Sequence, residues 1–130
     1  MKMALVNKET YGQLGKHILI ANDSYMVTLP ARVTNTGVDA DSDGKKILRA
    51  GTPLAGDIEK RGTAFTKTNS NTARAILLHD VDVTAGAENA TIILAGCVDL
   101  LKIDSTTRAL ITSNVKGAIP RIIFVEGSAI

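Results

Sequence analysis

The sequence predicts a small, mainly β domain with one short helix, preceded by an extended N-terminal arm. Three observations carry that prediction. Residues 74–103 hold two apolar runs on either side of a polar segment, 84–91. In the first run Ala75, Leu77, Val81 and Val83 point one way and Ile76, Leu78, Asp80 and Asp82 the other; in the second, Ile92, Leu94, Val98 and Leu100 share a face. Period-two patterning with β-branched residues and an intervening turn reads as an antiparallel strand pair. Second, hydrophobic residues make up 45% of the 130-residue chain but aromatics only 3% (Tyr11, Tyr25, Phe65, Phe124), so the core must come from Ile, Leu, Val and Ala. That composition suits thin β layers, and a small core of this kind often gains stability by oligomerising. Third, residues 1–24 are weakly patterned and interrupted by Gly12 and Gly15, as in a terminal arm. The expected organisation is an arm over 1–24 and one domain over 25–130.

Taken in order, the arm carries one apolar patch, Ile18-Leu19-Ile20-Ala21, followed by Asn22-Asp23-Ser24. Such a patch either docks on a partner or adds an edge strand to its own domain. The run from Tyr25 to Val33 is strand-like but contains Pro30. Proline supplies no ladder donor, so this is an edge or bent strand. Thr34-Asn35-Thr36-Gly37 is a turn cluster.

Asp39, Asp41 and Asp43 with Gly44 alternate like the opening of a calcium-binding loop. The twelfth position of such a loop would be Ala50, where a bidentate Glu is required, and the eighth would be Lys46. The segment therefore reads as a solvated hairpin turn, with Asp43-Gly44 supplying positive φ. Lys45-Lys46-Ile47-Leu48 is strand-like, and Gly51 with Pro53 marks a chain reversal. Residues 57–71 are rich in Thr, Lys and Asn with Phe65 as the single large apolar residue, a surface-loop composition. Asp104 or Ser105 caps a short helix bearing Leu110, Ile111 and Val115, ended by Lys116-Gly117. A closing strand runs over residues 119–125.

Chemistry-bearing groupings are few. His79, Asp80 and Asp82 lie together in sequence, but adjacent strand residues diverge, so His79 and the two acids cannot converge into one site. Cys97 is the single cysteine; it excludes a disulfide framework and, within an apolar run, reads as a buried, unreactive thiol. No phosphate-cradling loop pattern and no nucleophile elbow occur. No catalytic residue, cofactor or metal is expected, and the chain is not read as an enzyme. Charge is nearly balanced, 15 Lys/Arg against 13 Asp/Glu, so a direct nucleic-acid partner is not implied. Residues 1–75 carry 11 basic and 7 acidic side chains (+4), and residues 76–130 carry 4 and 6 (−2). No apolar run approaches the roughly 20 residues that span a bilayer, and no secretory apolar stretch opens the chain. The expectation is a protein made in a reducing cytoplasm, with no membrane partner.

Four segments then carry a resemblance: Lys46-Ile47-Leu48-Arg49-Ala50-Gly51-Thr52-Pro53-Leu54; Ala75-Ile76-Leu77-Leu78-His79-Asp80-Val81-Asp82-Val83-Thr84; Thr91-Ile92-Ile93-Leu94-Ala95-Gly96-Cys97-Val98-Asp99; and Ile119-Pro120-Arg121-Ile122-Ile123-Phe124. In this order the chain resembles the head decoration, or capsid-stabilising, proteins of tailed bacteriophages, the lambda-like decoration group and related head-fibre proteins. The resemblance covers about residues 45–125. It implies a β-clip-like or barrel-like domain and a homotrimer on the outer capsid surface, at three-fold or quasi-three-fold sites, with the major capsid protein as partner. It also implies that the N-terminal segment contacts the shell. Tyr11, Lys16, Ile18, Leu19 and Ile20 are the candidate capsid-binding residues of that arm. A tail or baseplate component and a non-viral small β-barrel binding module are the alternatives.

Overall fold

The structure, a computed structural model, describes residues 26–126. It is mainly β. Its strands are β1 (Val27–Val33), β2 (Ile47–Leu48), β3 (Pro53–Ala55), β4 (Thr66–Lys67), β5 (Ala73–Leu77), β6 (Val81–Asp82), β7 (Glu88–Asp99) and β8 (Ile122–Val125). Two short helices, α1 (Ser105–Arg108) and α2 (Ser113–Ala118), lie between β7 and β8. The candidate arm residues Tyr11, Lys16, Ile18, Leu19 and Ile20 fall outside the described residues.

β7 is the strand around which the sheet is assembled. β1 pairs antiparallel along it from Val27↔Ala95 to Val33↔Glu88. β5 pairs antiparallel with its middle, Ile76↔Ile93 and Leu77↔Ile92, as the alternation over residues 74–103 predicts. β3 and then β4 continue beyond β5. The last four residues of β7 pair with β8 in the parallel sense, Gly96↔Ile122 to Asp99↔Val125. Parallel neighbours need a crossover. Here residues 100–121 supply it, with α1 and α2 lying in that connection and Ile103, Ile111, Val115 and Ile119 packed into the core.

The crossover contains two helices where one is expected. Asp104 does cap α1, accepting the Thr106 N–H. The chain then leaves helical geometry at Leu110-Ile111, and Thr112 caps a new helix by accepting the Val115 N–H. Threonine at that position competes for the backbone and restarts the helix. Arg108 closes the turn before α1, donating to the Leu100 and Ile103 carbonyls at 2.8 Å each.

Both faces of the central sheet are buried, so there are two cores. Ile76, Leu78, Ile93, Val98, Ile103, Val115 and Ile122 belong to one. Val33, Leu48, Leu54, Phe65, Ala75, Leu77, Val83 and Ile92 belong to the other. The alternation predicted for β5 is observed. For β7 it breaks: Ile92 and Val98 face different cores. The register slips between Val27 and Thr28, leaving Leu94 as an extra residue opposite them, and Gly96 adopts a φ of 145°. A bulge shifts the alternation by one residue, and glycine tolerates the backbone this needs.

The surface-loop reading of residues 57–71 is corrected at Phe65. Phe65 is fully buried. Its N–H donates to Arg32 O at 2.8 Å and its carbonyl accepts from Thr34 N at 2.9 Å, forming a parallel bridge with Val33. β1 and β4 are the two ends of the sheet path, so this bridge ties one end to the other. Arg32 N–H adds a second backbone bond along this seam, to Arg61 O at 3.4 Å. Burying a phenylalanine there is worth about 1.5–3 kcal/mol over leaving it exposed, which offsets the ordering of an otherwise polar loop.

Candidate functional site

Pro30 places β1 at the end of the sheet, where its missing N–H costs no ladder bond. The remaining polar groupings can each be followed to their partners. Asp80 lies in the connection between β5 and β6. Its Oδ1 accepts the Ala50 N–H at 2.8 Å and its Oδ2 accepts from Arg49 Nη1 at 3.3 Å. It sits in a small cleft with Arg49, Ala50 and Asp104. Asp82 turns away and binds Thr84, accepting its N–H at 2.9 Å and its hydroxyl at 2.5 Å. The Thr84 hydroxyl, and after it the Thr84 backbone N–H, hold the Asp82 carboxyl below its ordinary value, against an opposing effect of desolvation and with a lesser contribution from the Lys45 ammonium. Thr84 Oγ1 also accepts the Lys46 N–H at 2.8 Å, which ties the 84–87 turn to β2.

The geometry therefore separates what the sequence places side by side. Asp80 faces β2–β3, Asp82 faces its own turn, and His79 is exposed in a bend past the end of β5 instead of on a strand face. The two carboxylates act as acceptors that hold backbone and side-chain donors in place. What this arrangement does chemically is fasten the loop at residues 49–50 and the turn at 84–87 to their neighbours.

The Asp39–Asp43 segment resolves in the same way. Asp41 Oδ1 accepts the N–H of Asp43 at 2.8 Å and of Lys45 at 3.0 Å, and Gly44 takes a φ of 80°. The carboxylate that would be a calcium ligand instead organises its own hairpin turn, as the sequence indicates. No group of three or more His, Cys, Asp or Glu side chains able to hold a metal occurs among the described residues. No helix among them is long and apolar enough to cross a membrane.

Cys97 is half-buried, not fully buried as its apolar context predicts. Its neighbour on β8 is Ile123, which is 56% exposed, and across the sheet Val27 is 51% exposed opposite Ala95. Leu101, just beyond β7, is 56% exposed. These are the exposed large apolar side chains of the described residues, and Val27 and Ile123 pair with β7 only two positions apart. Sequence reasoning missed this surface. The alternation in β7 assigns faces correctly only up to the bulge, and nothing in the β8 sequence announces that Ile123 looks outward.

No family model matches the chain, and no curated protein matches it.

Proposed function

We propose that this chain is a structural virion protein that binds the outer surface of a tailed-phage capsid and stabilises the shell at three-fold or quasi-three-fold sites. It acts as a homotrimer whose partner is the major capsid protein. One observation supports the reading above the others. The four segments that carry the resemblance contain β2 with β3, β5 with β6, β7, and β8. Of these, β3, β5, β7 and β8 form a continuous chain of hydrogen-bonded neighbours in one sheet. The likeness to decoration proteins thus falls on four neighbouring strands of one sheet, with β2 and β6 pairing beside them as a two-stranded sheet.

The physics of the role fits such a domain. A part that covers seams between capsomers needs surface complementarity and avidity. Three arms on one trimer convert the second and third contacts into intramolecular events, so modest contacts sum to strong retention. In this reading the segment before Met26 supplies contacts to the shell, and the two-core domain sets the spacing of the three arms.

The test is cosedimentation of the purified protein with expanded shells of the major capsid protein encoded in the same genome. The full chain is expected to pellet with shells at stoichiometric occupancy. A variant lacking residues 1–24 is expected to stay trimeric by mass and remain in the supernatant. Full occupancy by that variant overturns the role of the arm; absence of binding by the full chain overturns the capsid reading.

A further inference from the structure

Where β1 meets the loop at residues 57–65, a shallow cleft of about 450 Å³ opens at the surface. Two arginines line it, Arg32 from β1 and Arg61 from the loop. Both guanidinium groups are fastened at one corner. Arg61 Nη1 donates to the Pro30 carbonyl at 2.7 Å, and Arg32 Nη2 donates to the Ala87 carbonyl at 3.2 Å. Each bond uses one of the five N–H donors of its group, so the other donors stay available in a held orientation. Holding the group in place lowers the side-chain entropy that an exposed ion pair otherwise loses. Among the described residues neither arginine forms an ion pair; the pair found there is Arg49 with Asp80. Glu59 lines the same cleft without pairing with either guanidinium. Asn89, opposite Arg32 on β7, adds its side-chain amide to the lining, a further donor.

The lining thus presents donors from three side chains and a net charge of +1, from two arginines and one glutamate. We propose that this cleft binds a single carboxylate of a partner, from an acidic side chain or a chain terminus, held by Arg32 and Arg61 together. Planar guanidinium donors match the two oxygens of a carboxylate, and one negative charge neutralises the lining. A phosphate dianion fits the donors but not the charge. It leaves the site net negative and sets two like charges near the Glu59 carboxylate, which costs Coulomb energy. The site is a property of the free chain and does not depend on the capsid reading.

An NMR titration of the full-length chain, read at the arginine Nε–Hε signals, tests it. The probes are acetate, the α-amide of N-acetylglutamate, N-acetylalanine and dibasic phosphate. The carboxylates are expected to move the Arg32 and Arg61 signals together to saturation with one common Kd, and to leave in place the signal of Arg74, which is tied to the Asn71 and Ala73 carbonyls. The tighter of the glutamate and alanine probes identifies the carboxylate as side-chain or terminal. A Cβ at Gly62, on the wall of the cleft, would meet nothing within 4 Å. Gly62→Asp therefore supplies an internal carboxylate with both arginines still present, and is expected to weaken acetate binding at least ~10-fold. Glu59→Gln removes the opposing charge and is expected to strengthen it about 2- to 5-fold. Failure of every carboxylate to saturate, tighter binding of phosphate than of carboxylate, equal shifts at Arg74, or unchanged affinity in Gly62→Asp each overturns the proposal.

Discussion

Replacing Asp80 tests how the 49–50 segment is held, and the structure sets the expected magnitude. Two interactions end on this carboxylate. The ion pair with Arg49 spans 3.3 Å between side chains 50% and 31% exposed, and exposed pairs of this kind are worth about 0–1 kcal/mol. The bond from the Ala50 N–H is shorter, at 2.8 Å, and Ala50 is only 1% exposed. A buried donor left without an acceptor costs about 1–3 kcal/mol. The backbone bond therefore outweighs the ion pair. Asp80→Ala is expected to lower stability by about 1–3 kcal/mol and Arg49→Ala by less than about 1 kcal/mol. Asp80→Asn keeps an acceptor oxygen for Ala50 and is expected to fall between them. Urea denaturation at pH 7, with the slope checked for constancy, reads all three. If Arg49→Ala costs as much as Asp80→Ala, the charge pair and not the bond to the Ala50 amide holds this segment.

Three further substitutions probe other parts of the fold. Phe65→Ala removes the buried ring beside the point where the ends of the sheet meet and is expected to cost about 3–5 kcal/mol, read by the same denaturation; a loss under about 1 kcal/mol would mean that the bridge at Val33 is incidental. Gly51 has a φ of 98° and a Cβ there would lie 2.6 Å from Ile103 Cδ1, so Gly51→Ala is expected to lower the melting temperature through both strain and overlap, and an unchanged value refutes the packing described. Thr84→Val removes the hydroxyl that holds the Asp82 carboxyl below its ordinary 3.8, so a carboxyl-carbon NMR titration is expected to show that midpoint moving up toward 3.8. Because the folded value is depressed, the stability linked to it is complete above the unfolded value and is lost as pH falls through the folded one. The variant should lose less stability over that acid range, and an unmoved midpoint contradicts the assignment.

Much of the fold is legible in residues 74–103, because β5 is buried on both faces and its alternation survives into the structure at Ala75, Ile76, Leu77 and Leu78. The bulge in β7 is not legible. It arises from how Val27 and Thr28 pair with Ile93 and Ala95, a long-range constraint that a local period cannot carry. The direction of β8 is hidden for a similar reason: a run of apolar residues reads the same in a parallel or an antiparallel strand. Phe65 misled because a single apolar residue in a polar stretch gives no pattern, although its partners, Arg32 and Thr34, lie about 30 positions away. Of the polar groupings, the sequence geometry correctly parts His79 from Asp80 and Asp82, but the destination of Asp80 on Ala50 depends on a contact across 30 residues. The turn at Asp41 was readable because its bonds are local.

Binding at capsid three-folds is the proposed role of the chain. Its most direct measurement is electron cryo-microscopy of expanded shells mixed with the purified full-length protein. Trimeric density is expected on the outer surface at three-fold or quasi-three-fold positions, into which three copies of the 26–126 domain fit with their N-terminal ends toward the shell. Shells that remain bare at saturating protein, or density only on tails, would contradict it.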